Sequence, residues 1–179
     1  MKQSNTSRYA YLAGLVDAQD PFPPTESEIY LAGLVDGEGC LSICRDVNAK
    51  GPNYFVVFSI ANRDGAIMDW LFGTFGGAVY TKSNKGFNGE RIPIYEWRLY
   101  RDHAVPIVKR ILPFLRIKRH QAEVWLRMAE RMSVRRGGRT KLSEHEIDER
   151  NKLFDECRSL KSHFPLCTVS VSHPKLPGD

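Results

Sequence analysis

The chain has 179 residues, enough for one domain with a substantial core and too few for two domains of ordinary size. Its formal net charge of +5 favours a polyanionic partner, although many basic proteins bind none. No apolar run has membrane-spanning length and the N-terminal residues lack the apolar segment of a signal peptide, so we expect a soluble, intracellular protein.

The first predicted element is a short apolar segment whose sequence returns later in the chain. Residues 11–17 read YLAGLVD, and residues 30–36 repeat these letters 19 positions later. The first occurrence, called here the N-terminal copy, continues with Gln19 and Asp20 and then with prolines that exclude a strand. We therefore take the second occurrence as the working one. The N-terminal copy is an extra helix packed on the domain, a decayed duplication, or a segment that competes for the same contact.

The second occurrence lies in a predicted helix of about residues 25–36. Thr25 and Glu28 form a capping box at its start. Apolar residues recur at helical spacing along it, and small residues between them allow another backbone to approach closely. These small residues are Ala32, Gly33 and Gly37.

An acidic elbow follows this helix. Asp36 and Glu38 flank Gly37, and Gly39 lets the chain leave the helix abruptly before a strand begins at Cys40. A carboxylate at such an elbow can point out of the protein.

Four strands are predicted after the elbow, in two antiparallel pairs. They are Cys40–Asp46, Tyr54–Ile60, Ala78–Ser83 and Ile92–Tyr100. A loop of about six to eight residues joins the first pair. A helix that begins near Arg63 or Asp64 and reaches Phe72 lies between the two pairs.

Three further helices complete the predicted order. The first begins near Asp102 or His103, with Pro106 in its first turn, and is interrupted by Pro113. A longer helix spans about Gln121–Met132, and a capping box at Ser143 opens a last helix that ends near Leu160. We divide the chain into an N-terminal extension (1–24), a core (25–132), and a basic loop, C-terminal helix and tail (133–179).

The segment Leu31–Gly39 resembles the signature of the LAGLIDADG homing endonucleases, with Val35 and Glu38 as mild departures. Residues 113–122 also resemble the segment that supplies a basic residue to that family's active site. The resemblance implies an α+β fold with an αββαββα core, an antiparallel four-stranded DNA-binding saddle and, here, an extra C-terminal helix. It also implies that two signature helices pack together, so a chain with one working motif acts as a homodimer. The dimer interface is then expected at Leu31, Ala32, Gly33, Leu34 and Gly37.

The same resemblance assigns candidate catalytic residues. Glu38 and the backbone carbonyl of Gly37 would hold a divalent metal, and oxygen ligands suit Mg²⁺. Lys118 resembles the active-site lysine and would stabilise the transition-state phosphate, unless it is one of a solvated run of cations. Asn62 would order a water molecule or cap the end of its strand. Asp36 would brace the elbow or touch the metal.

Strand alternation nominates the residues that would read double-stranded DNA. On the strands they are Ser42, Cys44, Asp46, Glu96 and Arg98, together with Lys82 and Asn84 or their neighbours Thr81 and Ser83. Arg45 has inward parity but lies near a strand end, from which it can reach a phosphate. The loop residues Arg135, Arg136, Arg139 and Lys141 are expected to contact phosphates without sequence preference, or to form a solvated basic loop.

The hypothesis that follows is a Mg²⁺-dependent, site-specific double-strand DNA endonuclease of intron or intein homing. It would cut a long, pseudo-palindromic target as a homodimer, without a membrane, in the cytoplasm, the nucleoid or an organelle that carries the mobile intron. One alternative keeps the fold but binds RNA as an intron maturase, in which Glu38 is dispensable. The other alternative is a DNA-binding regulator that binds without cutting.

Overall fold

Five α-helices and four strands make up the part of the chain that the computed structural model describes, residues 23–48, 51–85, 89–133 and 142–162. The helices are α1 (Glu26–Glu38), α2 (Gly65–Phe75), α3 (Arg101–Ile111), α4 (Arg119–Ser133) and α5 (Glu144–Ser162), with a 3₁₀ turn at Leu112–Phe114. The strands are β1 (Gly39–Asn48), β2 (Gly51–Asn62), β3 (Ala78–Lys85) and β4 (Arg91–Leu99). The predicted α+β class and the αββαββα order with an extra C-terminal helix are confirmed.

The four strands form one antiparallel sheet in the order β1-β2-β4-β3. The central strands β2 and β4 pair only from Phe58 with Leu99 to Asn62 with Tyr95. Each hairpin therefore extends beyond this short shared segment, and the two extend in opposite directions. The result is an elongated sheet surface with its midpoint next to the end of α1.

The first hairpin differs from the sequence-based prediction. Strands β1 and β2 continue to Asn48 and from Gly51, so two residues separate them instead of six to eight. Pro52 is tolerated in β2 because β4 does not pair with this end of the strand, which leaves an edge where no amide donor is needed. The longer hairpin lengthens the outer surface of the sheet.

One face of the sheet packs against the helices and forms the main core. Its fully buried side chains include Phe58 and Trp97 from the sheet, Leu31 and Val35 from α1, and Trp125 from α4. Phe58 and Trp97 meet edge to face, with ring centroids 5.6 Å apart. Burial of aromatic side chains of this size contributes much of the folding free energy.

The start of α1 is fixed by the predicted capping box and by an ion pair. The Thr25 amide donates to Glu28 at 2.8 Å, and the Glu28 amide donates to the Thr25 hydroxyl at 3.3 Å. The Glu28 carboxylate also accepts from the Arg110 guanidinium of α3, at 2.8 Å from Nη2. Both side chains of the pair are largely buried, so the N-terminal end of α1 is held firmly against α3.

Helix α5 packs on α4 and runs along the outer edge of β1. A second buried cluster joins Leu153 and Cys157 of α5 to Ile43, Tyr54 and Val124. Ser143 caps the helix by accepting from the Glu146 amide at 3.2 Å, as its capping sequence predicts. Because β1 is an edge strand, this helix protects an otherwise exposed edge.

Proline positions mark the boundaries around α3. Pro113 lies in the 3₁₀ turn that ends α3, as predicted, whereas Pro106 lies inside the helix because α3 begins at Arg101, earlier than expected. No helix among the described residues is long and apolar enough to cross a bilayer. The N-terminal copy and the basic loop with Arg135, Arg136, Arg139 and Lys141 lie outside the described residues.

Candidate active site

The elbow between α1 and β1 depends on Gly39. The chain turns from helix at Glu38 into extended backbone at Gly39, with φ −71° and ψ 150°. A Cβ atom at this position would lie 2.7 Å from both the Cα and the carbonyl oxygen of Val35. Only glycine therefore lets β1 leave the end of α1 at this angle.

Asp36 braces the elbow through its side chain. Its carboxylate accepts backbone N–H groups from Arg116 at 2.7 Å, Ile117 at 3.2 Å and Lys118 at 2.9 Å. Three successive amides that converge on one carboxylate fix the segment before α4 to the end of α1. Asp36 therefore acts as a positioning residue for Lys118.

Lys118 places its ammonium group at the C-terminal end of α1. Its Nζ donates to the carbonyl oxygens of Val35 at 2.9 Å and Gly39 at 2.8 Å. The Val35 carbonyl lies in the last turn of α1 and carries the partial negative charge of a helix end, which favours a cation there. Desolvation by burial lowers the pKa of Lys118, and the nearby charges of Asp36 and Glu38 partly oppose that shift.

Glu38 is exposed at the surface of the elbow and is held by Asn62. The Asn62 amide Nδ2 donates to Glu38 Oε2 at 2.5 Å, while its Oδ1 accepts from the Asp64 amide at 2.8 Å. The second bond fixes the orientation of the side-chain amide, so its donor end faces Glu38. Asp64 in turn caps α2 by accepting from the Ala66 amide at 2.8 Å.

The metal-binding capacity of one chain is small. Among the described residues no group of three or more histidine, cysteine, aspartate or glutamate side chains is arranged to hold an ion. Glu38 contributes an exposed carboxylate and exposed Gly37 a backbone carbonyl, both of which are hard oxygen donors of the type that Mg²⁺ prefers. The donor chemistry fits the expected metal, but further ligands must come from outside the described residues of one chain.

The expected dimer residues divide between two faces of α1. Leu31 and Ala32 are 0% and 1% exposed within their own chain, so they belong to its core and the prediction that they contact a second chain is corrected. Their neighbours Gly33 and Gly37 are exposed, and a Cβ at either position would meet nothing within 4 Å. Leu34 lies partly exposed between these faces. Periodicity alone did not reveal which side of the helix the sheet would cover.

The face of the sheet opposite the core carries a charged cluster at its centre. The register places Lys82, Glu96 and Arg98 on this face and resolves the ambiguous parity of β3 in favour of Lys82 over Thr81 and Ser83. Glu96 accepts from Lys82 and, at 2.9 Å, from Arg98 Nη2.

These contacts change the ionisation of Glu96. Its burial raises the pKa of the carboxyl, but hydrogen bonds from Arg98 and Lys82 outweigh burial and the pKa is lowered. The guanidinium of Arg98 also stacks 5.4 Å from the ring centre of Tyr80. Tyr80 was not predicted as a site residue, although it shares strand parity with Lys82.

The outer face of β1 differs in part from the prediction. Ser42 is only 7% exposed because Lys161 of α5 donates to its hydroxyl, so it is not free to contact a ligand. Arg45 lies on the core side against α5, where Nη1 donates to Asn151 at 2.6 Å and the guanidinium stacks on Phe154. Nothing in the sequence signalled these contacts, since they join residues more than 100 positions apart.

The remaining nominated strand residues keep accessible positions. Asp46 is exposed, and Cys44 is half-buried beside Lys161, where burial raises the pKa of its thiol. The side chain of Asn84 lies outside the described part of the chain.

No family model and no curated protein matches the chain. Solved structures, however, match its fold. The homing endonuclease I-CvuI in complex with the I-CreI target has a TM-score of 0.57 and 19% identity, over 75% of this chain and 81% of that one. The archaeal intron-encoded homing endonuclease I-Vdi141I complexed with DNA has a TM-score of 0.63 and 18% identity, over 75% and 83%.

A longer protein also matches. The LAGLIDADG homing endonuclease I-GzeII in complex with its DNA target has a TM-score of 0.59 and 16% identity, over 84% of this chain and 54% of that one. The chain thus spans most of I-CvuI and I-Vdi141I but about half of I-GzeII. By the order of its helices and strands and by these matches, the chain has the LAGLIDADG homing endonuclease fold.

Proposed function

We propose that this protein is a homodimeric, metal-dependent, site-specific DNA endonuclease. The observation that carries the proposal is the exposed carboxylate of Glu38 at the end of a braced elbow, with the Lys118 ammonium held beside it. An exposed helix-terminal acid without function would need neither the orienting amide of Asn62 nor the three-amide brace at Asp36.

A second copy of the chain would supply the other half of the site. Gly33 and Gly37 have open space around them, so no contact among the described residues requires glycine there, whereas a closely packed helix from another copy would. This chain matches most of I-CvuI and of I-Vdi141I but only about half of the longer I-GzeII. A protein about twice as long as this fold supports the idea that two copies of this chain assemble into one enzyme. Packing about a two-fold axis would bring two Glu38 side chains together, one for each DNA strand.

The pair of elbows would hold divalent metal through Glu38 carboxylates and Gly37 carbonyls. The solved structures of I-CvuI include complexes in the presence of 2 mM Mg and 2 mM Ca. A bound Mg²⁺ supplies Lewis acidity and an activated water for phosphodiester hydrolysis.

The residues of this chain have separate tasks in that reaction. A water oxygen adds to phosphorus while the bond from phosphorus to one deoxyribose oxygen breaks, leaving a phosphate monoester and a hydroxyl. Lys118 stabilises the negative charge that develops on the phosphate oxygens. Asn62 keeps Glu38 in one orientation, and Asp36 keeps Lys118 in reach.

The outer face of the sheet would bind the duplex. Its elongated shape suits a major groove, and Lys82 and Arg98 provide cations at its centre. The loop that contains Arg135, Arg136, Arg139 and Lys141 would add phosphate contacts. The net charge of +5 agrees with a polyanionic ligand.

The test is cleavage of a supercoiled plasmid. The plasmid carries the two host sequences that flank this reading frame, joined directly to each other with the reading frame left out. We expect linearisation that requires Mg²⁺ and that falls at least about 100-fold in Glu38→Gln, because a metal ligand is worth several kcal/mol in the transition state. Glu144→Gln, at an exposed acid in the first turn of α5, is the matched control and should cleave normally.

Two outcomes overturn the proposal in favour of its alternatives. Specific DNA binding without cleavage in Mg²⁺ or Mn²⁺ would indicate a regulator. Splicing of a host intron that survives Glu38→Gln, without DNA cleavage, would indicate a maturase.

A further inference from the structure

Among the described residues, no side chain covers the outward face of α1 at Gly33 and Gly37. Tyr30 is 52% exposed on it, and Gly33 and Gly37 follow at helical spacing with open space around each. The same stripe begins at Glu26 and Ser27, which border a groove between α1 and α2 with a cavity of about 430 Å³. The helix face and the groove form one continuous surface, called here the α1 face.

The groove is apolar where it meets α2. Ile67 and Trp70 line it, and Trp70 meets Tyr30 edge to face with centroids 5.2 Å apart. Aromatic side chains in this arrangement gain most when a further apolar surface covers them. The α1 face therefore suits a short helix with small residues at its centre.

The chain itself contains a segment of that kind. Residues 11–17 are identical to residues 30–36, so the N-terminal copy carries the same tyrosine and glycine, Tyr11 and Gly14, at the same spacing. If the copy forms a helix, it offers the α1 face the same side chains as the α1 helix of a second chain. A surface that accepts one of these helices accepts the other.

The connection between the two copies has a suitable length. Seven residues, 18–24, separate Asp17 from Thr25, and they include three prolines that favour extended backbone. The eight steps from Asp17 to Thr25 span about 25 Å at roughly 3.1 Å per residue. The 13 residues of α1 span about 20 Å at 1.5 Å per residue, so the tether can return from one end of α1 to the other. The copy can thus lie parallel to α1, with Gly14 beside Gly33.

We propose that the N-terminal copy (Tyr11–Asp17) docks on the α1 face in place of a second chain and holds the protein as an inactive monomer. This inference rests on the proposed homodimeric function. A short tether gives the copy an effective concentration of about a millimolar, well above that of a second chain in a cell. The copy therefore occupies the face until another interaction, such as binding of two chains to one DNA site, favours the dimer.

The sequence differences between the copies determine what the docked state lacks. Gln19 occupies the position that corresponds to Glu38, so the docked copy offers an amide where a second chain offers a carboxylate. Ala18 corresponds to Gly37 and adds a methyl group at the contact, which weakens the docked copy relative to a second chain. The docked state is consequently both inactive and displaceable.

The first experiment measures self-association of the full chain by sedimentation equilibrium. Gly14→Leu should prevent the copy from docking without altering α1, and we expect it to lower the dimer dissociation constant at least tenfold. Ser4→Leu adds the same side chain outside the copy and should leave the constant unchanged. If wild-type chains dimerise and the dimer dissociation constant is the same in Gly14→Leu, the proposal is overturned.

The second experiment detects docking without requiring dimerisation. A full chain with Gly14→Cys and Gly33→Cys should form an intramolecular disulfide under mild oxidation at nanomolar concentration, visible as a monomer of altered gel mobility. The controls are each single substitution and the pair Gly14→Cys with Asp155→Cys, at an exposed position of α5. None of them should form this disulfide. If the chain with Gly14→Cys and Gly33→Cys forms no more intramolecular disulfide than these controls, the docking inference is overturned. A 14–33 disulfide in a chain whose Gly14→Leu variant never dimerises supports docking and refutes the homodimer of the proposed function.

Discussion

Asp36 and Lys118 position each other across 82 residues of sequence. The carboxylate of Asp36 accepts the Lys118 amide at 2.9 Å, and the Lys118 ammonium returns to donate to carbonyl oxygens on either side of Asp36, at Val35 and Gly39. The acid thus fixes the backbone from which the lysine extends, and the lysine closes the helix end that carries the acid. This reciprocal arrangement couples the stability of the elbow to the placement of the cation.

Asp36→Ala should lower both stability and activity. Loss of the carboxylate leaves three backbone amides without their acceptor, and hydrogen bonds to a charged group contribute about 1.5–3 kcal/mol each. Because the bonds to Arg116 and Ile117 are exposed, water can replace the lost acceptor, and we expect the free energy of unfolding in urea to fall by about 2–3 kcal/mol in total. Asp69→Ala, at an exposed acid of α2, should change it little, and equal effects of the two substitutions would contradict the brace.

The pH dependence of cleavage should report the state of Lys118. Burial lowers the pKa of this lysine from its ordinary 10.5, and the protonated form is the one that stabilises a phosphate. The cleavage rate should therefore fall as pH rises through a pKa below 10.5. Asp36→Ala removes a charge that raises this pKa, so it should move the alkaline limb to still lower pH.

Two substitutions test the assignment of the alkaline limb. Lys118→Arg keeps a cation that does not titrate below about pH 12, so the limb should disappear even if the rate is lower. Lys109→Met, at an exposed lysine of α3, should leave the profile unchanged. A limb that persists in Lys118→Arg would assign the titration to another group.

Gly33→Leu should separate folding from assembly. A Cβ at this position would meet no atom of the described residues within 4 Å, and replacing glycine in a helix gains up to about 1 kcal/mol, so the thermal midpoint should rise or hold. The same side chain blocks the α1 face, so dimerisation and cleavage should be lost. Gly73→Leu, also in open space on a helix, should preserve both activities. A Gly33→Leu protein that dimerises and cleaves would place the interface elsewhere.

Arg98→Ala should relax target specificity at one position of each half-site. Glu96 and Tyr80 hold Arg98 at the centre of the outer sheet face, and an arginine fixed in this way can bind a guanine through two hydrogen bonds. We expect discrimination at that base pair to weaken by about 1–3 kcal/mol in binding to a target library. Arg158→Ala, at an exposed position of α5, should leave the base preference unchanged. Uniform loss of affinity in Arg98→Ala would instead indicate a phosphate contact.

Local patterns determined much of this protein from the sequence. The capping box at Thr25 begins α1, Gly39 ends it, and period-two alternation places four strands in the right order. The elbow with Asp36, Glu38 and Lys118 was also predictable, because the signature is contiguous in sequence and the lysine lies in a second recognisable segment. Hydrogen bonds and steric limits over a few residues suffice for these features.

Tertiary packing decided the rest. It buried Leu31 and Ala32 in their own core and left Gly33 and Gly37 as the outward face, because the sheet covers one side of a helix that is apolar on most sides. It also covered Ser42 and held Arg45 against α5, through contacts between residues more than 100 positions apart in sequence. The sequence by itself specifies which groups carry charge and which segments turn. Only the long-range packing free energy selects which of those groups face solvent and which face each other.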